Sequence, residues 1–158
     1  MTRLRTIAMP TDVARAYQKG EPDANGHPPE RAIAVGQGNP CRHCLTSIKE
    51  GDEMLVLAYR PFDELQPYAE LGPIFLHASA CERFDPQGGI PAMFDRWDLL
   101  IVRGYNKDNR IQYDTADHVP VDESENYCKS ALQNDEVAYL HVRTPRFNCF
   151  ECRIERAS

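Results

Sequence analysis

Long apolar runs are missing from this chain. Nothing in it approaches the roughly 18 consecutive apolar residues that a membrane span requires. The densest stretches, Met54–Tyr59 and Leu99–Val102, have the length of strands. The opening residues, Met1 to Pro10, include Arg3 and Arg5 but lack the continuous apolar core of a secretory signal, so a cytoplasmic address is expected. Surplus positive charge is missing too: the formal net charge is −6. Nonspecific nucleic-acid binding depends on many Lys/Arg–phosphate contacts, so nucleic acid is not an expected partner, although Arg143, Arg146, Arg153 and Arg156 gather near the C-terminal end. Gly-x-Ser-x-Gly elbows, phosphate loops, dinucleotide fingerprints and His-Glu-x-x-His helices are all absent. That removes the enzyme classes that announce themselves locally. Acid–base sites assembled by the fold leave no such trace.

What is present suits one domain spanning residues 1–158, long enough to bury about two thirds of its unfolded surface. Leu4–Ala8 reads as a strand, and Thr11 as the N-cap of a helix through Lys19 that Gly20 ends. The proline-rich segment Glu21–Glu30 reads as loop, and Ala32–Val35 as a brief extended piece. Glu53–Arg60 and Pro73–His77 form a strand pair, with apolar residues on both faces of the first. Ala92–Trp97 allows a helical turn before a strong strand, Asp98–Tyr105. Asn106–Asn109 is a turn leading into Arg110–Asp114. Asp122 and Glu125 resemble a capping box for a helix through Gln133, and Val137–Arg143 and Cys149–Glu155 close the chain as strands. No internal repeat occurs. The expected class is α+β, a largely antiparallel twisted sheet with two or three short helices.

Six cysteines in a chain without a secretory signal point to metal binding or free thiols more than to disulfides. Cys41 and Cys44 form a Cys-x2-Cys knuckle; after 32 intervening residues come His77 and, four positions on, Cys81. Two thiolates on a tight turn, met by a second short-spaced pair, are what a tetrahedral zinc ion needs. The intervening hairpin carries His77 and Cys81 back to the knuckle, so residues 39–84 form a zinc-stapled module. Thiolate-rich tetrahedral sites select zinc, and four protein ligands leave no position for an activated water. Taken one at a time, the same residues also fit a buried Cys81, a core His77 and free or redox-active thiols at Cys41 and Cys44. His43, inside the knuckle, is a weaker ligand candidate than His77. Cys149-Phe-Glu-Cys152 is a less specific pair, because positions three apart on a strand point to opposite faces. The sequence assigns no role to Cys128, Cys149 or Cys152.

Tyr139, His141 and Arg143 share a strand face by the period of two and oppose Glu151 and Arg153, which suggests either a polar site or a hydrogen-bonded structural histidine. Tyr68, Glu70 and Arg60, around the hairpin loop, are candidates for a polar pocket near the metal. The leading expectation is an interaction or accessory module whose zinc fixes the hairpin, so that the Pro61–Leu71 loop offers Tyr68 and Glu70 to a protein or small molecule. The alternative is a hydrolase with three zinc ligands and an open position, in which Tyr68, Glu70 or His141 gives acid–base help.

Two resemblances bear on this. The order knuckle, hairpin, ligand pair is similar to treble-clef modules and to the zinc finger of poly(ADP-ribose) polymerases, with a final spacing one residue longer; by that analogy a third reading is DNA-end binding. Across Pro40-Cys-Arg-His-Cys44, Leu57–Phe62, Gln66–Glu70, Gly72-Pro-Ile-Phe-Leu-His-Ala78, Glu136–Arg143 and Asn148–Phe150, the chain resembles the bacterial domain-of-unknown-function family numbered 1203. That resemblance implies a single-domain cytoplasmic bacterial protein and brings no activity with it.

Overall fold

A computed structural model describes residues 2–158. In chain order it contains β1 (Leu4–Ile7), α1 (Thr11–Gln18), β2 (Glu30–Ile33), β3 (Glu53–Tyr59), β4 (Gly72–His77), β5 (Leu99–Tyr105), β6 (Ile111–Pro120), α2 (Ser124–Ala131), β7 (Tyr139–Arg143) and β8 (Phe150–Arg156). Short 3-10 turns stand at Ala92–Arg96 and Val121–Glu123. The strands form two antiparallel sheets rather than the one expected: five strands in the order β1-β8-β7-β5-β6, and three in the order β2-β3-β4. The class is α+β.

Alternation decides which face of the larger sheet is core. Leu100 and Val102 of β5, Leu140 and Val142 of β7, and Cys152 and Ile154 of β8 all point to one side. There they pack against Cys128 and Leu132 from α2 and its C-terminal end. Each fully buried aliphatic side chain contributes about 1.5–3 kcal/mol. A second core lies on the three-stranded sheet, where Leu55, Leu57, Ile74 and Leu76 meet Ala14 of α1, Ile48 and Cys41.

Local signals were overridden at three places. Thr11 is the first residue of α1, not its cap; Pro10 takes the cap position and no side chain caps the helix. The expected Asp122–Glu125 box does not form either: Val121–Glu123 winds as a 3-10 turn, and Ser124 Oγ donates to Val121 O at 2.6 Å. Strand β6 runs on to Pro120, well past Asp114, because β5 offers it partners as far as Leu99.

The β5–β6 ladder shifts register between Val102 and Gly104. Gly104 N donates to Thr115 Oγ1 at 2.7 Å, so the hydroxyl substitutes for a ladder carbonyl there. A Cβ at Gly104 would stand inside van der Waals contact of the Thr115 side chain. Gly104→Ala is therefore expected to lower stability by about 1–3 kcal/mol in urea unfolding, as overpacking does.

Candidate metal centre

The knuckle is a miniature hairpin. Pro40 and Ser47 bridge its base, Cys41 N donates to Thr46 O at 2.9 Å, and Leu45 N returns to Cys41 O at 2.9 Å. Closing so tight a turn puts Leu45 at φ 54, a left-handed conformation uncommon for a bulky residue. Burial of its side chain in the larger core holds it there. Arg42 N donates to Phe75 O at 3.1 Å, laying the knuckle alongside β4. His77 is the last residue of β4, opposite Met54, and the chain beyond it turns back to present Cys81.

One ligand atom each from Cys41, Cys44, His77 and Cys81 lies within 4.8 Å of the others. Tetrahedral arms of about 2.3 Å to sulfur and 2.0–2.1 Å to nitrogen subtend edges of about 3.8 Å between sulfurs and about 3.6 Å between sulfur and nitrogen. The observed separations are 3.8 Å for Cys41 Sγ to Cys81 Sγ and 3.4 Å for Cys44 Sγ to His77 Nδ1. A disulfide would need about 2.05 Å, and all six cysteines are free thiols. The donor set fits one thiophilic cation.

Electrostatics point the same way. Hydrogen bonds from Cys41 and Cys81 hold the Cys44 thiol far below its usual range, while Cys81, facing Cys41 and Cys44, is pushed far above it. His77 is raised to about 10 by hydrogen bonding to Cys41 and then Cys44. Without a cation, Cys81 keeps its proton beside the Cys44 thiolate, and the ring of His77 takes one up. A divalent ion removes both conflicts, since thiolates and neutral imidazole are the binding forms.

A shell of hydrogen bonds surrounds the sulfurs. His77 N donates to Cys41 Sγ at 3.4 Å, and Thr46 Oγ1 lies 3.1 Å from Cys44 Sγ. His43 is not in the donor set: its Nδ1 lies 3.1 Å from Cys81 Sγ and its Nε2 lies 2.9 Å from Thr11 Oγ1. Burial, and then Arg15, lower its pKa. A neutral ring has one donor and one acceptor, so Nδ1–H toward a thiolate leaves Nε2 to accept from Thr11. Helix α1 organises this shell with one face, Thr11, Arg15 and Gln18 standing at i, i+4 and i+7. Arg15 donates to Cys81 O at 2.7 Å, and Gln18 Nε2 donates to His77 O and Ser79 O at 3.0 Å. Outer-shell partners of this kind typically govern 10- to 100-fold in metal affinity. Thr11→Val should therefore weaken metal binding by roughly 10-fold in competition with a chromophoric chelator, while leaving metal stoichiometry intact.

The second cysteine pair is divided, because β8 begins only at Phe150 and leaves Cys149 outside it. Cys152 lies in the core beside Cys128, whereas Cys149 is half-buried in the loop just before β8. Burial raises Cys128 to about 12 and Cys152 well above the ordinary thiol range, so both are inert. Tyr68, Glu70 and His141 are not beside the Cys41, Cys44, His77 and Cys81 cluster. Glu70 lies before β4 and His77 ends it, and the five steps from Gly72 to His77 alone span roughly 17 Å at about 3.4 Å per residue. Tyr68 meets Tyr113 hydroxyl to hydroxyl at 3.0 Å, and Glu70 pairs with Arg103 and Arg143. His141 is buried among Phe62, Tyr105, Tyr139 and Phe150. Arg153, its strand partner, stacks on Tyr139 instead at 3.8 Å, and Glu151 turns away to Arg42. Thr11, Arg15, Gln18, Arg42 and Arg103 were not legible as site residues; only the helical spacing of the first three left a trace.

The profile of the family described as "Protein of unknown function (DUF1203)" matches residues 38–156, well over half of the chain. The chain belongs to this family. No curated protein and no solved structure matches it. The DUF1203 match takes in all four members of the cluster together with Glu70, Arg103, His141 and Arg143, while β1 and α1 precede it.

Proposed function

We propose that this DUF1203 protein is a zinc-stapled binding module in which the metal is structural. The observation that carries the reading is the convergence of four donors, three sulfurs and one imidazole nitrogen, within 4.8 Å of one another, two of the separations being close to tetrahedral edges. Such a set fills the zinc coordination shell and leaves no site for a water nucleophile. Zinc is favoured over other divalent ions because thiolate-rich tetrahedral sites select it. The hydrolase reading is weaker, since Tyr68 and Glu70 stand at the opposite end of the β3–β4 hairpin from the cluster. In the proposed function, the staple fixes that hairpin so that its far loop, residues 61–71, serves as the binding face for a small molecule or a protein. Six unpaired thiols suit a reducing, cytoplasmic setting. Finger-type binding to DNA ends is disfavoured by the net charge of −6.

Cobalt substitution tests the closed shell. Co(II) in the wild-type site should give a tetrahedral thiolate spectrum that excess azide leaves unchanged. A spectrum that shifts on titration with azide would reveal an open position and return the site to catalysis.

A further inference from the structure

The five-stranded sheet has a second face that neither core uses. β5 places Arg103 and Tyr105 on it, and β7 places Tyr139, His141 and Arg143 alongside. Arg103 pairs with His141 and Tyr105 with Tyr139 across the ladder. Every residue of β7 is nonetheless buried, because the 61–71 segment roofs this polar face. The Phe62 ring lies 5.5 Å from that of Tyr105 and 5.2 Å from that of His141. Arg60 Nε donates to Ala69 O at 3.0 Å and closes the base of the loop.

Two guanidinium groups converge under the roof. Glu70 Oε1 accepts from Arg103 Nη1 at 2.5 Å and from Arg143 Nη2 at 3.0 Å. Asn148, in a left-handed conformation at φ 59, steadies both arginines from the other side: its carbonyl accepts from Arg143 Nη1 at 2.9 Å and its Oδ1 from Arg103 Nη2 at 3.2 Å. The side chains of Arg143 and Arg103 are 6% and 17% exposed, that of Glu70 47%. The arginines are thus the fixed part of the arrangement and the carboxylate the movable one, since a half-exposed ion pair gains little from staying closed.

The same place has unused hydrogen-bonding capacity. Arg143 Nε, His141 Nδ1, Tyr105 OH and Gln66 Nε2 are buried without a well-aligned hydrogen bond. Buried polar atoms are nearly always partnered, so the free Nε of Arg143, on a side chain only 6% exposed, leaves that guanidinium able to take a further acceptor. Of these residues Arg143 alone lines a cavity of about 210 Å³, which it shares with Glu70, Asn148, Tyr59, Phe147 and Phe150. Glu70 also borders a groove on its other side, with Tyr68, Arg103 and Tyr113.

We propose that Arg103 and Arg143 form a recognition site for a small carboxylate ligand with a short apolar or aromatic body, and that Glu70 is its displaceable internal stand-in. Paired guanidinium groups suit a planar carboxylate because their donors match its two oxygens. Glu70 shows that the pocket accepts this group, and the aromatic wall suits what the group is attached to. The proposal rests on residues 61–71 being the binding face and not on the identity of the metal.

Calorimetric titration with benzoate, acetate and inorganic phosphate, on protein whose metal content is measured in parallel, provides the test. Benzoate should bind the wild type and bind Glu70→Ala at least about 10-fold more tightly, because the internal competitor that keeps the site closed is gone. Arg143→Lys should abolish binding, and Arg103→Met, at the more exposed position, carries the same test if Arg143→Lys does not fold. Folded Glu70→Ala, with its metal retained, that binds none of the three anions would overturn the proposal and leave Glu70 as a loop clamp. Binding of phosphate alone would overturn the carboxylate assignment. A metal content of zero with benzoate binding intact would defeat the zinc reading and leave this one standing.

Discussion

Cys44→Ser and His77→Ala are each expected to release the metal and to cost the protein several kcal/mol of stability. Structural zinc contributes about 10–16 kcal/mol of apparent binding free energy in isolated fingers, and a site this closed draws on the same source. The loss should be uneven. Cys41 is part of the smaller core, with Cys44 and Cys81 packed against it, so chelation should first raise amide exchange across residues 39–84. The sheet formed by β5, β7 and β8 packs against α2 in a separate core and should stay protected longer. Metal analysis of protein purified without chelator decides the matter. One zinc per chain in the wild type and none in either variant is the expected result; a metal-free wild type would end the zinc reading altogether.

Arg42→Met should be nearly as damaging, although Arg42 is no ligand. Its side chain is 3% exposed, between the two cysteines of the knuckle. Nε donates to Phe150 O at 2.7 Å, Nη1 donates to Pro40 O at 2.8 Å, and Nη2 stands 3.1 Å from Glu151 Oε1. This one residue ties the knuckle to β8, the strand between β1 and β7 in the larger sheet. Removing one partner of a buried ion pair costs about 3–5 kcal/mol, because the other is left uncompensated.

Glu151 gives this pair a pH signature. Burial pushes its pKa up to about 7, with Arg42 pulling the other way. Neither carboxylate oxygen has a well-aligned hydrogen bond, so desolvation prevails. A carboxyl raised in the folded state binds a proton there that the unfolded chain has already released. Its contribution is therefore fully present below the ordinary value near 4.5 and is lost as pH rises through about 7. At about 1.4 kcal/mol per pKa unit, that limb amounts to something on the order of 3 kcal/mol. Glu151→Gln cannot titrate and should flatten it. Urea unfolding at pH 5 and pH 8 makes the comparison, and equal pH dependence in wild type and variant would refute the assignment.

Short-range pattern carried the parts of this protein that depend on spacing alone. Cys-x2-Cys and His-x3-Cys, with a hairpin's worth of chain between them, marked four residues whose donor atoms the structure gathers within 4.8 Å, because a strand pair returns the chain to its start. The apolar alternation in Val137–Arg143 marked a strand with two unlike faces, as found. The capping signals failed at Thr11 and Asp122 because a side chain with a long-range partner, or a tighter turn, took precedence over the local bond. The histidine of the knuckle was legible as a candidate and not as what it is, a bridge from Cys81 to α1.

By itself, then, the sequence determined the α+β class, the membership in the DUF1203 family and the four residues able to hold a metal. These follow from residue type, period and spacing, which the chain carries wherever it goes. Only the tertiary structure decided that there are two sheets, that α1 supplies the outer shell of the cluster, and that Arg42 reaches a carbonyl 108 positions away. It alone separated Glu70 and His141 from the Cys/His cluster and gathered them with Arg103 and Arg143 under the 61–71 loop. Such pairings are made by strand order and by how chain segments lie across one another, and no local stretch of residues encodes either.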